Sequence, residues 1–319
     1  MTTTLLDEVS LGDTAIPYVA ALDGALRSAG LWDDETWMLA GLTGLAFHLV
    51  VDPKTCPASP TAYSWTGVHR AAADRIGVTS RCIECIGDAD AYPRRRDEAL
   101  RMIKASLDHG RPAVVRTVDW AEFAIVTGYD DSDGVLFFDN RHDDPVLYAN
   151  LGSPQGFPFL FAQMFEDRRE LDLARSARSS LEYAIVCWRG EGFLKHPWYD
   201  YAVGAEAYRA LIRALEKADT DPLGLRYILE IHADARAYAA RYLQRLAADA
   251  VLPGLDPVAD GYTQVLPLTA RAVELLPVAA PYERPLDVAA ASEAAELLRQ
   301  AAALEETAIS ELERVVTDR

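Results

Sequence analysis

The stretch WAEFAIVTGYDDSDGVLFFDN, residues 120–140, decides the fold. Two short apolar runs, 123–126 and 135–138, flank Asp130, Asp131, Ser132, Asp133 and Gly134. Asp and Gly tolerate the backbone angles that a reversal needs, so the stretch reads as a β-hairpin. Residues 112–118, entered through Gly110, Arg111 and Pro112, read as a third strand. Runs of this kind suit the interior of a sheet. Side chains alternate along a strand, which puts Glu122, Ala124 and Val126 on one face and Phe123 and Ile125 on the other.

Outward from the hairpin, helical and strand patterns alternate. Residues 1–12 read as loosely ordered. Residues 19–29 read as a helix with Leu22, Ala25, Leu26 and Ala29 on one face, closed by Gly30. Asp33 or Asp34 caps a second helix running to Leu42 or beyond. Gly41 and Gly44 in the stretch 41–48 allow close packing. Residues 65–76 and 97–109 read as helices, 78–86 as a strand and 88–96 as polar loop. On the far side, 145–151 reads as a strand, 152–159 as loop, 168–178 as a charged helix or loop, and 180–188 as a final strand.

The pattern breaks at residues 190–197. Beyond it, segments 201–218, 222–250, 256–277 and 286–317 all show helical spacing, which predicts an antiparallel helical bundle. Asp221-Pro222 and Asp256-Pro257 read as N-caps followed by Pro at the first helical position. Pro267 is expected to kink or split its helix. The expected fold is therefore α+β: an α+β domain over 1–195 and an all-α helical domain over 196–319. Phe193, Leu194 and Trp198, at the junction, are expected to be buried.

Composition narrows the function. Half of the 319 residues are hydrophobic, enough for a sizeable core. The formal net charge is −18, with 19 basic against 29 acidic residues in 1–195 and 12 against 20 in 196–319. Neither part has the basic surplus that phosphate neutralisation requires, so no nucleic-acid partner is expected. No apolar run reaches the roughly 18 residues needed to cross a membrane, so no membrane partner is expected either. The N-terminus lacks a basic region followed by an apolar one, and a cytoplasmic location is the expectation.

The four cysteines, Cys56, Cys82, Cys85 and Cys187, are too few and too scattered for a disulfide scaffold. Cys82 and Cys85 form a Cys-x-x-Cys pair, but zinc needs two more ligands and no second pair is visible. A redox pair would precede a helix, whereas this one lies in a strand-like run. No metal and no cofactor are expected. His48, in an apolar stretch, reads as a hydrogen-bonded or pocket-lining residue. His232 has Glu230 and Asp234 two residues to either side, a spacing that does not share a helix face.

Two groups of residues resemble a known family. Val126-Thr127-Gly128-Tyr129-Asp130, followed by Asp139-Asn140 at the end of the next run, is similar to the strand pair of papain-like peptidases of the bacteriocin-processing type. The segment 41–47, the later Cys56-Pro57 and Trp65 resemble papain-like proteins related to the butirosin-biosynthesis acyltransferase N-terminal domain. The resemblance implies a papain-like domain with a helical segment after it. It also implies a nucleophilic Cys at the start of the first helix and a His opening the strand. Here Ile16-Pro17-Tyr18-Val19-Ala20 stands at the first place, with no Cys, Ser or Thr between Ala15 and Arg27, and Glu122 stands at the second.

A carboxylate does not activate a thiol as imidazole does, because its ordinary pKa is too low for an efficient base. Ordinary cysteine peptidase activity is therefore not expected. The resemblance implies a groove formed by Tyr18, His48, Trp65, Trp120, Glu122, Asp139 and Asn140. It suits a small amine or peptide-like ligand, drawn by Glu122 and Asp139, in a biosynthetic or accessory role. Two other readings stay open: an acyltransferase or hydrolase of altered chemistry with Glu122 as general base, and a protein-interaction module built on the helices. Homodimer formation stays open too.

Overall fold

The computed structural model describes residues 3–116, 122–139, 145–152, 157–192, 200–217, 220–279 and 284–317. In chain order its elements are β1 (Thr3–Leu5), α1 (Pro17–Ser28), α2 (Thr36–Thr43), β2 (Val50–Val51), α3 (Trp65–Arg75), β3 (Val78–Ile86), α4 (Tyr92–Asp108), β4 (Ala113–Arg116), β5 (Phe123–Asp130), β6 (Val135–Asp139), β7 (Val146–Leu147), β8 (Phe159–Arg168), α5 (Leu173–Arg189), β9 (Ala202–Val203), α6 (Ala205–Glu216), α7 (Pro222–Ala248), α8 (Asp256–Leu275) and α9 (Val288–Thr317). The protein is α+β. Among the described residues no helix is long and apolar enough to cross a membrane.

Contacts divide the chain into two compact units, Met1–Thr36 with Trp65–Glu170, and Trp37–Ser64 with Leu171–Arg319. This differs from the single cut expected at residue 195. Trp37–Ser64 and α5 fall with the C-terminal helices. Phe193, Leu194 and Trp198 lie outside the described residues.

The first unit is built on a seven-stranded antiparallel sheet of order β3-β8-β4-β5-β6-β7, with β1 paired to β5. The hairpin forms as its sequence requires. Asp130 Oδ1 accepts the Ser132 N–H at 2.7 Å, and Gly134 takes φ 66, a left-handed angle that Gly adopts without a Cβ penalty. One face of the sheet carries Ala113, Val115, Ala124, Val126, Ala162 and Met164 in a core with Ile103 and Leu107 of α4. The other face, with Phe123, Ile125, Phe161 and Gln163, is covered by α1 and α3. Gly24 of α1 is required there: a Cβ would meet the Ser10 carbonyl oxygen at 1.9 Å and Ile125 at 2.6 Å.

Several elements differ from the sequence reading. Residues 3–5 form β1 and extend the edge of β5 beyond β4, with Leu5 opposite Gly128. Helix α4 starts at Tyr92, inside the expected loop, because Pro93 fits the first helical turn. The stretch 145–151 gives two strand residues and then a tight 3-10 turn over Tyr148–Asn150. Strand β8, unassigned by its pattern, lies between β3 and β4. The expected strand 180–188 is the second half of α5. Asp172 caps that helix, accepting the Arg175 N–H at 3.0 Å, and Gly190 ends it at φ 69.

The second unit holds α5 to α9. Their core joins Tyr208, Leu211 and Leu215 of α6, Leu225 and Leu229 of α7, Val265 of α8 and Leu298 of α9. Asp221 caps α7 as expected, accepting from Leu223 N at 2.9 Å and Gly224 N at 3.1 Å, with Pro222 at the first position. Asp256 is the first residue of α8 instead of its cap, and α8 runs unbroken through Pro267. The two-stranded ribbon β2–β9 pairs Val50 with Val203. Gly41 of α2 lies so close to Tyr242 of α7 that a Cβ would meet the ring at 2.1 Å, so the small-residue stretch does serve close packing.

Candidate functional site

Tyr18 sits in the first turn of α1, because Pro17 starts the helix, and it is 1% exposed. Its hydroxyl donates to Gln163 Oε1 on β8 at 2.6 Å. Its ring stacks flat on His69 of α3, centroids 3.4 Å apart, and meets Phe123 edge-on at 5.3 Å. The Gln163 amide donates to Ser80 Oγ at 2.9 Å and to the His69 carbonyl at 3.4 Å. Four elements, α1, α3, β3 and β8, thus converge on a neutral chain of hydrogen bonds inside an aromatic shell. The place where the resemblance implies a nucleophile is filled by the buried ring and hydrogen-bonded hydroxyl of Tyr18.

Arg116, at the end of β4, belongs to the same face. Its guanidinium lies 5.5 Å from the Trp65 and Phe123 rings and 5.7 Å from Phe159, a cation over three π-faces. Its Nη1 donates to the Glu122 carbonyl at 2.8 Å, which fixes the entry to β5. Trp65 is 2% exposed and packs edge-on against Phe159 at 4.8 Å. Just behind Trp65, Glu84 Oε2 accepts from the Thr66 N–H at 2.8 Å and its hydroxyl at 2.7 Å.

The expected groove residues divide. Asp139 pairs with Ile125, so it shares the α1 face with Tyr18 and Trp65. Its Oδ2 accepts the Leu11 N–H at 2.6 Å, and Oδ1 has no partner among the described residues. Glu122 is half-buried and immediately precedes β5. The alternation that turns Phe123 to Tyr18 assigns Glu122 the side of Ala124, which α4 covers. Its distance along β5 from the partner of Asp139 is three residues, about 10 Å at strand spacing. His48 belongs to the other unit, where its Nε2 lies 2.9 Å from the Tyr183 hydroxyl and its ring is edge-on to Tyr63 at 5.3 Å. Trp120 and Asn140 lie outside the described residues.

Beside Asp139 the segment 7–12 and α1 enclose a cleft of about 420 Å³. Asp7, Glu8 and Asp23 line it against one cation, Arg27. Arg27 is already committed: its Nε donates to both Asp23 oxygens at 3.0 Å, and its Nη2 to the Asp34 carbonyl. Asp7 and Glu8 have no ion-pair partner among the described residues. The Leu11 N–H, in the wall of this cleft, is the group that Asp139 holds.

The Cys-x-x-Cys pair splits by strand alternation. Cys85 lies in the core under α4, whereas Cys82, three residues earlier, takes the opposite face. Burial pushes the Cys82 thiol up to about 12, with Arg70 opposing, and Cys85 is raised by burial and by Asp88. Neither is an activated thiolate. Among the described residues no three His, Cys, Asp or Glu side chains come together to hold a metal ion.

The densest ionisable cluster is in the second unit, and it is sealed. Arg236 of α7 and Glu305 of α9 form an ion pair at 2.9 Å, with side chains 1% and 2% exposed. Glu305 also accepts from the hydroxyls of Tyr208 at 2.8 Å and Tyr262 at 2.9 Å. Arg236 Nη1 donates to the carbonyls of Ala46 at 3.0 Å and His48 at 3.1 Å. Burial first, then Glu305, pushes both phenols far above their ordinary range. Burial alone would lower the Arg236 pKa, but Glu305 and the phenols outweigh it and raise it.

His232 Nε2 lies 2.9 Å from the Tyr208 oxygen. The single Tyr208 proton goes to Glu305, so His232 donates through Nε2–H and is neutral with a bare Nδ1. That Nδ1 has no hydrogen-bond partner among the described residues. Burial, then the Arg236 charge, depresses the His232 pKa. This arrangement clamps the backbone at Ala46 and His48.

Sequence reasoning missed His69, Gln163 and Arg116. His69 follows Trp65 by four residues on α3, one face of a helix, and Gln163 is the lone polar residue in the run FLFAQMF; both were signals of a buried polar pair. Compared with models of known protein families and with curated proteins, the chain matches none.

Proposed function

We propose that the first unit is a catalytically degenerate, papain-like scaffold, similar to the butirosin-biosynthesis acyltransferase N-terminal group, that binds a small amine or peptide-like ligand. The observation that carries this is Tyr18: at the nucleophile position its hydroxyl is given to Gln163 and its ring is stacked and buried. Buried and hydrogen-bonded to Gln163, Tyr18 lacks the exposure that a nucleophile needs. Asp139 Oδ1, which has no partner among the described residues, and Asp7 and Glu8 at the adjoining cleft supply acceptors, and the cleft's lining cation Arg27 is paired with Asp23, which suits an ammonium group.

Calorimetric titration with putrescine, with butylamine and butyrate for comparison, tests this reading. Amine binding, weakened roughly tenfold by Asp139→Asn and little changed by Glu122→Gln on the other side of the sheet, is the expected result. Binding of butyrate in preference to the amines would reject the ligand class. Turnover of a peptide or ester lost in Glu122→Gln would support altered chemistry with Glu122 as base instead.

A further inference from the structure

The hairpin end of the sheet carries apolar side chains on both faces. On the α4 face, Tyr129 and Leu136 are buried in the core, and Phe138 packs against it. Side chains alternate along a strand, so Gly128, Val135 and Phe137 take the opposite face, which α1 covers further along at Ile125. The register extends that face over four strands: Leu5 of β1 pairs with Gly128, Gly128 with Phe137, and Val135 with Leu147 of β7. Leu5 leans over Gly128, where a Cβ would meet its Cδ1 at 3.0 Å. Leu5 is 61% exposed and Leu147 50%, and Val135 and Phe137 are only partly buried.

This is not the pattern of a solvated face. An antiparallel strand with one side in water alternates apolar and polar residues, whereas 135–138 is Val-Leu-Phe-Phe without a break, the pattern of a strand covered on both sides. Four large apolar side chains are strongly exposed among the described residues, and two of them, Leu5 and Leu147, lie on this one face. The rim around it has one sign. Residues 1–26 and 117–140 contain no lysine or arginine. Asp7 and Glu8 follow β1, and Asp130, Asp131 and Asp133 form the turn before Val135. Asp131 is taken by Lys104 of α4, which lies over the Tyr129 ring on the other side of the sheet. Asp130 accepts from the Ser132 N–H at 2.7 Å and the Thr3 hydroxyl at 3.0 Å. Asp7, Glu8 and Asp133 have no ion-pair partner among the described residues.

We infer that this face docks a helix of a partner protein, one with an apolar stripe flanked by lysines or arginines. A sheet face is completed by an element that lays its apolar side on it, as α1 does on the neighbouring part of this face. Four strands span about 14 Å, and three helical turns cover about 16 Å, so the two match in length. The acidic rim sets the sign of the flanking charges, and it disfavours a second copy of a chain whose net charge is −18. Asp7 and Glu8 border the amine cleft as well, but Asp139 is no part of this face, and the inference does not rest on the amine reading.

Titration of the full chain with an amphipathic leucine–lysine helix of about 14 residues, and with its leucine–glutamate counterpart, tests it. The lysine helix should bind, more weakly as salt rises, and the glutamate helix should not. The double variant Leu5→Asn/Leu147→Asn should lose roughly tenfold in affinity with an unchanged circular dichroism spectrum, because both side chains are exposed in the free protein. Asp7→Asn/Asp133→Asn should lose less and flatten the salt dependence. The inference is overturned if the lysine helix fails to bind, if it binds the Leu5/Leu147 double variant as tightly as the parent, or if the glutamate helix binds equally well. Dimerisation of the chain alone, or its binding to phosphatidylcholine vesicles, either one lost in that double variant, would overturn it in favour of a second copy or a membrane.

Discussion

Each unit buries a polar cluster, and the two are built on different principles. In the first, Tyr18, Gln163 and Ser80 form a neutral chain with the His69 ring stacked on it. In the second, Arg236 and Glu305 bring full charges into the interior, and two phenols and two backbone carbonyls complete their coordination. Neutral groups cost little to bury once paired, whereas ions cost several kcal/mol each before pairing. The charged cluster therefore needs every partner in place. In return it ties helices α6 to α9 to the 46–48 backbone, about 190 residues away in the chain from Arg236. The neutral cluster spans only adjacent layers and makes the position of Tyr18 part of the core.

This contrast ranks the mutants. Glu305→Ala leaves Arg236 charged, buried and unpaired, and should cost about 3–5 kcal/mol by chemical denaturation. A value below about 1 kcal/mol would mean that water reaches the cluster. Gln163→Leu, in the neutral cluster, removes the acceptor of the Tyr18 hydroxyl and the donor to Ser80 and the His69 carbonyl, and should cost about 1–3 kcal/mol. Equal losses at Glu305 and Gln163 would erase the distinction drawn here.

The charged cluster also predicts a pH dependence. His232 is neutral in the fold with a depressed pKa, while in the unfolded chain it titrates near its ordinary 6.5. Above that value neither state is protonated and the contribution is flat. As pH falls below it, the unfolded state takes a proton that the folded state refuses. Stability should then fall by about 1.4 kcal/mol per pH unit between about pH 6 and 5. His232→Gln should flatten the slope in that window; an unchanged slope would exclude His232 as its source. Smallest is Asp221→Ala, which removes the cap of α7 and should cost about 1 kcal/mol.

The sequence revealed local devices better than long-range ones. Asp221-Pro222 placed the start of α7, and the Asp-rich turn placed the hairpin, because each acts within a few residues. Strand β8 was missed because FLFAQMF is buried on both faces, so it shows no alternation, and its partners β3 and β4 are distant in sequence. The second half of α5, residues 180–188, reads as a strand because Tyr183, Ile185, Val186 and Trp188 favour strands; its cap, Asp172, lies well upstream of that run. At the candidate site, Tyr18 and Trp65 both meet Phe123, and the partners of Tyr18, His69 and Gln163, come from α3 and β8 and are legible only once the sheet is formed.

The central claim is that Tyr18 is core where the resemblance implies chemistry. Tyr18→Phe, followed by denaturation and by putrescine titration on the same sample, tests it most directly. Loss of the hydroxyl leaves Gln163 Oε1 without its donor, so stability should fall by about 1–2 kcal/mol while amine affinity stays within about twofold. Unchanged stability with affinity or turnover lost would contradict the claim and make Tyr18 a working residue of the site.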